Sequence, residues 1–417
     1  MRAFPCTLTR CDYRGWQAVH LSNGIVELDI IPQLGGRVMQ YRLGSHEFFY
    51  VNPRHCGRVY SPTENCFEMG WKNYGGSKVW PAPQGWGSDA EWPGPPDSVL
   101  DGGSFSSRVV ESGPESAAVY LESPEDEYTG LTFSREVRIF ARSSVARITH
   151  TVRNSSLRPV RWGIWQVSQQ AADQPLRICT PARSFHKMFG DEDYPCARID
   201  PQSGLWELDY CNRVAKFAVQ SEKGWLATMK PADGVALVEK FPLFPEALYP
   251  DAAPVEVWVN GEGTFTAHGD KIRMEDNRDD CDPHVETEIL SPVADLDPGE
   301  VYTFPITWQA ASIKEAEISA VNHCGVIVRR LTAERSNRRW SVSGAYGLFY
   351  VGSLELVSIH RSGKALETVP LGEVSPLAPC SVNKVISSPQ GIARISARLR
   401  STDGQLLGTV DEVSLLS

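Results

Sequence analysis

The stretch Gly24-Ile-Val-Glu-Leu-Asp-Ile-Ile-Pro-Gln-Leu-Gly-Gly-Arg37 shows the pattern that decides the fold. From residue 25 to residue 31, apolar and polar side chains largely alternate, which is the period of a β-strand with one buried face. Pro32 lacks the N–H that would continue a hydrogen-bonded ladder, and the pair Gly35 and Gly36 favours a turn. The stretch therefore predicts a strand that ends in a tight turn.

Short alternating segments of this kind recur along most of the chain, separated by Gly, Pro, Asn and Asp. In the first three quarters they lie at residues 107–110, 118–121, 131–140, 145–152, 161–167, 226–229, 236–240, 255–259, 285–290 and 302–308. One stretch, residues 312–320, has the helical spacing of apolar residues instead. Many short strands without a repeat of blade length predict an all-β protein that begins with a large antiparallel sandwich.

The distribution of strands also predicts two domains. A chain of 417 residues is too long for one ordinary hydrophobic core. We place the large sandwich at residues 1–311, a helical linker at residues 312–322 and a small second domain at residues 323–417. The short strands of the last part are typical of an immunoglobulin-like β-sandwich.

The composition argues against several classes of partner. The formal net charge is −10, and the acidic excess lies in the first 320 residues, which disfavours nucleic acid as a ligand. No stretch has the roughly 18–20 apolar residues of a membrane helix. The ten cysteines are scattered without a Cys-x-x-Cys pair, and the first residues show no apolar export signal. We therefore expect a cytoplasmic protein with reduced thiols and no membrane partner.

The sequence carries no signature of a cofactor or a metal site. It has no phosphate-binding loop, no dinucleotide motif and no cluster of His and Cys at metal-ligand spacing. The acidic run at residues 275–282 lacks the Gly and the terminal Glu of an EF-hand loop, so we interpret it as a solvated turn. We predict neither a metal nor a cofactor.

Three segments, in order along the chain, resemble the aldose-epimerase (galactose mutarotase-like) superfamily. They are the opening stretch at residues 24–37, the paired segments at 133–140 and 148–154, and the segment Glu-Thr-Glu-Ile-Leu-Ser-Pro at 286–292 with the Leu-Asp-Pro-Gly-Glu turn at 296–300. The Trp- and Pro-rich residues 73–84 are similar to uncharacterised bacterial mutarotase-like proteins of unknown function. The resemblance implies a β-supersandwich that binds a sugar.

The resemblance also implies catalytic groups, and here the sequence departs from the superfamily. The epimerases use two histidines and a glutamate late in the chain. The segments that correspond to the histidine regions, residues 73–84 and 162–166, contain no histidine. The late glutamate has two candidates, Glu286 and Glu288. Anomer interconversion by a histidine pair is therefore not implied.

The Trp/Pro segment (residues 71–96) is predicted to bind the sugar, because tryptophan rings stack on C–H faces and amides bind hydroxyls. Its prolines and glycines predict a loop over one sheet. The alternative is a loop whose aromatic side chains only cover the sandwich. The candidate ligand-binding residues in and near this segment are Arg37, Arg54, Asn73, Tyr74, Trp80, Gln84 and Trp86.

Three strand segments supply further candidates. Alternation puts Trp165 and Gln166 on opposite faces of one strand, so either Trp165 forms the floor of the pocket or Gln166 enters it. In the late strand, Glu286 and Glu288 share a face. Glu256 lies on another alternating strand and is a further acidic candidate.

Acid/base chemistry on a sugar needs one group that accepts a proton and one that donates it. We assign the base to Glu286 or Glu288, and the acid to Lys78 or His186. For each of them the alternative is structural: a solvated glutamate, a surface lysine or a histidine without a catalytic partner.

We predict a carbohydrate-active enzyme (an epimerase, lyase or hydrolase) that uses this acid/base chemistry. One alternative is a non-catalytic carbohydrate-binding module. Another is an interaction protein whose Trp/Pro segment binds a second chain, for example in a homodimer that buries Trp86 and Trp92. The enzyme requires a carboxylate that faces the Trp/Pro segment across one concavity.

Overall fold

The computed structural model describes residues 4–190, 194–267, 269–275, 282–337 and 339–415. These residues form an all-β protein, as predicted, and none of their helices is long and apolar enough to span a membrane. Short 3-10 helices occur at Pro53–His55 and Pro250–Ala252. In chain order, the strands are β1 Thr7–Tyr13, β2 Trp16–Ser22, β3 Val26–Ile31, β4 Arg37–Leu43, β5 His46–Glu47, β6 Ser77–Ala82, β7 Ser106–Ser112, β8 Ser116–Asp126, β9 Leu131–Phe140, β10 Ala146–Asn154, β11 Val160–Ala171, β12 Arg177–Gly190, β13 Ala197–Ile199, β14 Leu205–Asp209, β15 Ala215–Ser221, β16 Trp225–Lys230, β17 Val235–Lys240, β18 Val255–Val259, β19 Gly263–Ala267, β20 Asp270–Met274, β21 His284–Leu290, β22 Ala294–Leu296, β23 Val301–Ser312, β24 Ala320–Val321, β25 Gly325–Ser336, β26 Arg339–Leu348, β27 Gly352–His360, β28 Ala365–Val374, β29 Cys380–Ser387, β30 Ile392–Arg400 and β31 Leu406–Ser414.

The opening stretch folds as its pattern predicts. Strand β3 ends at Ile31, and a turn leads into β4, which pairs antiparallel with β3. Gly35 and Gly36 both have positive φ, 63° and 57°. A Cβ atom at Gly35 would lie 2.6 Å from the carbonyl oxygen of Leu100, so the turn requires glycine for space as well as for conformation.

Strands β1 to β23, except the β19–β20 hairpin, form one very large antiparallel assembly that folds into two layers. One layer runs β1-β2-β3-β4-β6-β11-β21-β18-β15. The other runs β7-β8-β9-β10-β23-β17-β16, and the long strand β12 pairs with both β15 and β16. Apolar side chains from both layers form one continuous core, as a supersandwich requires.

The Trp/Pro segment is not a loop throughout, which corrects the prediction. Residues 77–82 form β6, which is paired with β11 along its whole length. Pro81 is tolerated there because β6 pairs with β4 at only one position, Val38 with Ser77. A proline whose outer side has no strand partner loses no ladder hydrogen bond.

The predicted helix at residues 312–320 is wrong. Strand β23 continues to Ser312, and β24 begins at Ala320. Ile313 and Ile318, whose spacing suggested a helix face, are both buried in a cluster that includes side chains of β25 and β26. The N–H of Ile313 donates to Gly234 in the main sandwich. Tertiary contacts therefore override the local helical spacing.

The strands after residue 320 form two four-stranded antiparallel sheets, β24-β25-β26-β29 and β28-β27-β30-β31, around a core of their own. This arrangement agrees with the small β-sandwich predicted for the end of the chain. A second apolar cluster joins the two parts, because Trp225 and Val238 of the main sandwich pack with Val328 and Phe349. The limits of the linker at residues 312–322 stay a prediction.

Candidate functional site

Five neighbouring strands, β6-β11-β21-β18-β15, place charged and aromatic side chains on one face. Residues that are paired across antiparallel strands point to the same side of a sheet. Lys78, Val167, Glu288 and Glu256 form one such row, since each is paired with the next. The row beside it contains Gln169, Glu286, Trp258 and Lys216. Two glutamates of β21 thus lie between two lysines that come from the outer strands.

A pocket of about 580 Å³ opens on this face. Its volume is within the range of small-ligand sites. Glu286 and Glu288 line it together with asparagine and glutamine side chains and five tryptophans. The five are Trp71, Trp80, Trp86, Trp165 and Trp258. A carboxylate therefore does face the Trp/Pro segment across one concavity.

Glu286 is held as a carboxylate. Its Oε1 accepts hydrogen bonds from Lys78 Nζ at 2.9 Å and from Gln169 Nε2 at 2.7 Å. Burial alone would raise the pKa of Glu286, but the attraction of the Lys78 ammonium and the hydrogen bonds from Lys78 and Gln169 outweigh it and lower the pKa below the ordinary value. The side chain keeps 13% of its surface exposed, so this ionised group is open to the pocket.

The surroundings of Glu288 shift its pKa in the opposite direction, upward. Its Oε2 accepts from Trp165 Nε1 at 2.7 Å and lies 3.1 Å from Lys216 Nζ. Its Oε1 is buried and receives no hydrogen bond from the described residues. Burial raises the pKa of Glu288, Lys216 opposes that rise, and the negative charge of Glu286 adds to it. Glu288 therefore retains its proton more readily than Glu286.

The wall beside Glu286 contains a histidine that is held in a fixed orientation. His284 stacks on Tyr50 with ring centroids 4.9 Å apart, and its Nδ1 lies 2.8 Å from the backbone oxygen of Asp282. Since that oxygen can only accept, Nδ1 carries the proton and Nε2 is left as an acceptor. Burial lowers the pKa of His284, which favours the neutral ring. Asp282 also accepts from Tyr50 Oη and Arg54 Nη2, both at 2.5 Å.

The structure brings several of the predicted residues together and separates others. Those that line the pocket are Arg54, Asn73, Trp80, Gln84, Trp86, Trp165, Glu286 and Glu288. Trp165 rather than Gln166 faces the pocket, which decides between the two orientations of β11. Gln166 is buried between the two layers, where it contacts His150 and Glu239. Its prediction as a ligand-binding residue is corrected.

Arg37 and Tyr74 also lie away from the pocket. Arg37 is fully buried and makes an ion pair of 2.7 Å with Asp101. Tyr74 is buried in a separate apolar cluster against Trp16. Both side chains stabilise the turn region that supports the Trp/Pro segment. They are not available to a ligand.

Lys78 and Glu256 lie behind the pocket wall, and His186 lies outside it. The Lys78 ammonium contacts Glu286 and lies 4.5 Å from the ring centroid of Trp80, so its role is that of a charge partner. Glu256 is 1% exposed and lies 2.6 Å from Lys216. His186 is exposed on β12 and does not line the pocket. The predicted acid, Lys78 or His186, is therefore not placed against a ligand.

The structure also bears on the predicted homodimer and on the acidic run at residues 275–282. Trp92 is 1% exposed and packs on Trp80 with ring centroids 5.2 Å apart. Because Trp92 is already buried within the chain, a dimer interface cannot bury it together with Trp86. In the acidic run, residues 276–281 lie outside the described residues. Asp282, at its end, lines the pocket.

Sequence reasoning missed Lys216, Gln169 and Trp258. Lys216 interrupts the otherwise apolar segment Val-Ala-Lys-Phe-Ala-Val at 214–219, and a charge within such a run is a usable signal. Gln169 lies in the polar triplet Ser-Gln-Gln that follows the predicted strand of residues 161–167. Trp258 has no signal in the sequence beyond the nearby candidate Glu256.

Three side chains of the kinds that bind metal ions lie close together on β1, β2 and β3, away from the pocket lining. Ligand atoms of Cys11, His20 and Asp29 lie within 4.8 Å of one another. His20 Nδ1 is 2.9 Å from Asp29 Oδ1, and Arg42 Nη2 is 2.6 Å from Asp29 Oδ2. Arg42 already neutralises the carboxylate that a metal would need, and His20 contacts its other oxygen.

Solved structures of galactose mutarotase-like proteins are similar to this chain at low sequence identity. One from Clostridium acetobutylicum is 10% identical with a TM-score of 0.45, over 74% of this chain and 99% of that chain. One from Lactobacillus casei is 10% identical with a TM-score of 0.44, over 70% and 99%. A TPR-domain containing protein from Parabacteroides distasonis is 13% identical with a TM-score of 0.48, over 70% of this chain and 46% of that chain.

A family model described as Domain of unknown function (DUF4380) matches residues 16–310, and the chain belongs to this family. No curated protein matches the chain. The chain thus belongs to a family of unknown function, as the resemblance of its Trp/Pro segment implied, and its all-β architecture of two layers agrees with the predicted supersandwich.

Proposed function

We propose that the protein is a carbohydrate-active enzyme that binds a sugar in the tryptophan-walled pocket and acts on it by acid/base catalysis. The observation that carries this proposal is the pair Glu286 and Glu288, which line one pocket with pKa values shifted in opposite directions. Two carboxyl groups whose surroundings separate their pKa values are a common basis for dividing the roles of acid and base.

The pair supports a definite division of roles. Glu286, ionised beside Lys78, is the base that accepts a proton from a sugar hydroxyl. Glu288, whose pKa is raised, is the acid that donates to the ring oxygen or to a bridging oxygen. In an anomer exchange, the C1–O5 bond breaks as O5 takes the Glu288 proton, and Glu286 holds the proton of the C1 hydroxyl until the ring closes again. Glu288 thus takes the role of general acid, which a histidine has in the epimerases and which no histidine fills in the corresponding segments of this chain.

The walls of the pocket support a sugar as the ligand. The five tryptophans offer flat apolar surfaces, and Asn52, Asn73, Gln84 and Asn260 offer amide donors and acceptors at the same cavity. A pyranose presents one C–H face and a ring of hydroxyls, which such a combination matches. Line broadening of a sugar without any turnover would instead identify a carbohydrate-binding module.

The test is a proton NMR time course of the protein with a panel of mono- and oligosaccharides that includes uronic acids. We expect faster anomer exchange, bond cleavage or an unsaturated product for at least one sugar. Glu286→Gln and Glu288→Gln should each lower that rate by about 100-fold or more, because positioned acid/base groups contribute factors of this size. Glu222→Gln, at an exposed residue just after β15, is the matched control. A rate that survives both pocket substitutions would refute the assignment.

A further inference from the structure

The strands farthest from β6 give the pocket an apolar end. Across β21, β18, β15 and β12, Glu286 is paired with Trp258, Trp258 with Lys216, and Lys216 with Phe189. Paired residues of antiparallel strands point to the same side of the sheet, and Trp258 and Phe189 both line the pocket with Glu286. The apolar side chains therefore begin on the strand next to Glu286 and extend to three strands from it, about 14 Å along the sheet.

The β19–β20 hairpin turns an apolar face toward the same end. Its strands pair Phe265 with Ile272 and Gly263 with Met274, so the period of two puts these side chains on one face of the hairpin. Phe265, Ile272 and Met274 all line the pocket. The other face of the hairpin has only polar side chains, which are Thr264, Thr266, Lys271 and Arg273.

A ring contact connects the hairpin with the strands of the sheet. Phe265 meets Trp258 edge to face, with ring centroids 5.0 Å apart. Strand β19 also lies against β12, although the hairpin is a separate two-stranded sheet. The strands and the hairpin thus form one surface, which we call the apolar end of the pocket and which consists of Phe189, Trp258, Phe265, Ile272 and Met274.

The described residues leave the apolar end partly uncovered. Ile272 is 37% exposed, and Phe189, Trp258, Phe265 and Met274 are half-buried. Removing apolar surface from water is favourable, so side chains of this kind that line a pocket favour an apolar ligand group. The apolar end is continuous with the pocket that contains the two glutamates, which makes it part of the same site.

Two polar side chains that line this end are already engaged. Lys216 Nζ lies 2.6 Å from Glu256 Oε2 and 3.1 Å from Glu288 Oε2. Asn260 Nδ2 donates to the backbone oxygen of Asp282 at 3.0 Å. A second sugar ring would need partners for its hydroxyl groups, whereas an aromatic or alkyl group needs none. The apolar end therefore favours a group that is not a sugar.

We propose that the apolar end binds the apolar aglycone of a glycoside, whose sugar ring lies against the tryptophans of the Trp/Pro segment. Glu286 and Glu288 then face the bond between the two parts, because β21 lies between β11 and β18 in the sheet. Phe265, Ile272 and Met274 are specificity-determining residues in this scheme. The inference names the substrate class of the proposed function and rests on that function for the sugar.

The test compares the binding of phenyl and methyl glycosides by isothermal titration calorimetry. The probes are the phenyl and methyl forms of β-D-glucoside, β-D-galactoside and β-D-glucuronide. For a sugar that binds, we expect the phenyl form to bind about 10-fold or more tightly than the methyl form, because its ring removes more apolar surface from water. A panel in which no phenyl glycoside binds, or in which both forms bind alike, would overturn the proposal.

Phe265→Ala should reduce the preference for the phenyl form to about 2-fold or less and leave the Kd of the methyl form within about 2-fold. Thr264→Ala, on the polar face of the same hairpin, is the matched control and should keep the full preference. Since Phe265→Ala also removes the contact with Trp258, Ile272→Ser tests the same face at an exposed side chain. It should lower the preference by about 3-fold. A preference that is unchanged in both variants would contradict the assignment.

The outcomes separate this inference from the proposed function. Binding with the phenyl preference but without any turnover would support the inference and refute the enzyme. Turnover of free sugars or methyl glycosides, with no preference for the phenyl forms, would support the enzyme and overturn the inference. Cellobiose that binds more tightly than phenyl β-D-glucoside would show that a second sugar occupies the apolar end, and would overturn the inference as well.

Discussion

Two clusters of buried polar side chains lie against the strands that form the pocket, one on each face of these strands. The pocket cluster is Lys78, Lys216, Glu256, Glu286 and Glu288. The interior cluster, sealed between the two layers, is His150, Gln166, Ser168, Glu239 and Thr287. In the interior cluster Glu239 accepts from neutral donors, among them Gln166 at 3.0 Å and Ser168 at 3.1 Å. The buried carboxyl groups of the pocket cluster are therefore paired with lysines, whereas that of the interior cluster is hydrogen-bonded to neutral side chains.

The difference between the two clusters lies in the charge that their buried carboxyl groups carry. Burial raises the pKa of Glu239 to about 7 and lowers that of His150 to about 3, so the interior cluster approaches neutrality by binding or losing protons. The pocket cluster keeps part of its charge, because Lys78 lies against the ionised Glu286 and Lys216 lies against Glu256 and Glu288. Charged groups in a pocket can act on a ligand, whereas uncharged ones in a sealed core are limited to hydrogen bonding.

The largest effect should follow from removing a cation of the pocket cluster. Lys216→Met leaves Glu256 and Glu288 buried without their ammonium, and such a change costs about 3–5 kcal/mol of unfolding free energy. We expect the loss to be greatest at pH 8 and smaller at pH 5, where the carboxyl groups can take up protons. Urea unfolding at both pH values measures it.

The control for that change is Lys223→Met, which removes an exposed lysine just after β15. It should alter the unfolding free energy by no more than about 0.5 kcal/mol. Equal losses for the two variants would mean that Lys216 is not the charge partner that the distances indicate, and the contrast between the clusters would break down.

An intermediate effect is expected at the interior cluster, and it depends on pH. The pKa of Glu239 is about 7 in the folded protein and 4.5 ordinarily, so the folded state holds a proton that the unfolded chain releases between these values. This lowers the unfolding free energy as pH rises from about 4.5 to about 7, with a flat region above. Glu239→Gln has no such proton. Relative to the parent protein it should gain roughly 3 kcal/mol over that range.

Guanidinium unfolding at pH 5 and pH 8 measures this difference directly. The comparison of variant and parent at each pH cancels the contribution of other titrating groups, among them Glu256. A constant difference between the two proteins would show that Glu239 is ionised in the folded state, and the interior cluster would then resemble the pocket cluster.

The smallest effect should come from a single neutral hydrogen bond of the interior cluster. Ser168→Ala removes the donor 3.1 Å from Glu239 Oε1 but leaves Gln166 in place. The expected loss of unfolding free energy is about 1 kcal/mol, typical of one neutral hydrogen bond. Thermal unfolding is sufficient to measure it. A loss as large as that of Lys216→Met would indicate that Ser168 stabilises a charge.

Local pattern in the sequence determined the strands and the sharing of faces within each strand. The alternation at residues 25–31 predicted β3, and the period of two placed Glu286 and Glu288 on one face, because side-chain direction along a strand is a local property. The turn residues and the resemblance together indicated the supersandwich. Trp71, Trp80 and Trp86 of the Trp/Pro segment line the pocket. Their residue type alone suggested that they bind a ligand, and that role stays a prediction.

The tertiary structure alone decided which face of β11 became the pocket and which charges met there. Lys78 and Glu286 are 208 residues apart in the sequence, and Lys216 reaches Glu288 from a different strand. No local pattern encodes such pairings, since they depend on the order of strands in the sheet. The same long-range packing turned residues 312–320 away from a helix. The sequence determined which side chains share a face of each strand. The order of the strands in the sheet determined which of these side chains lie together in the pocket.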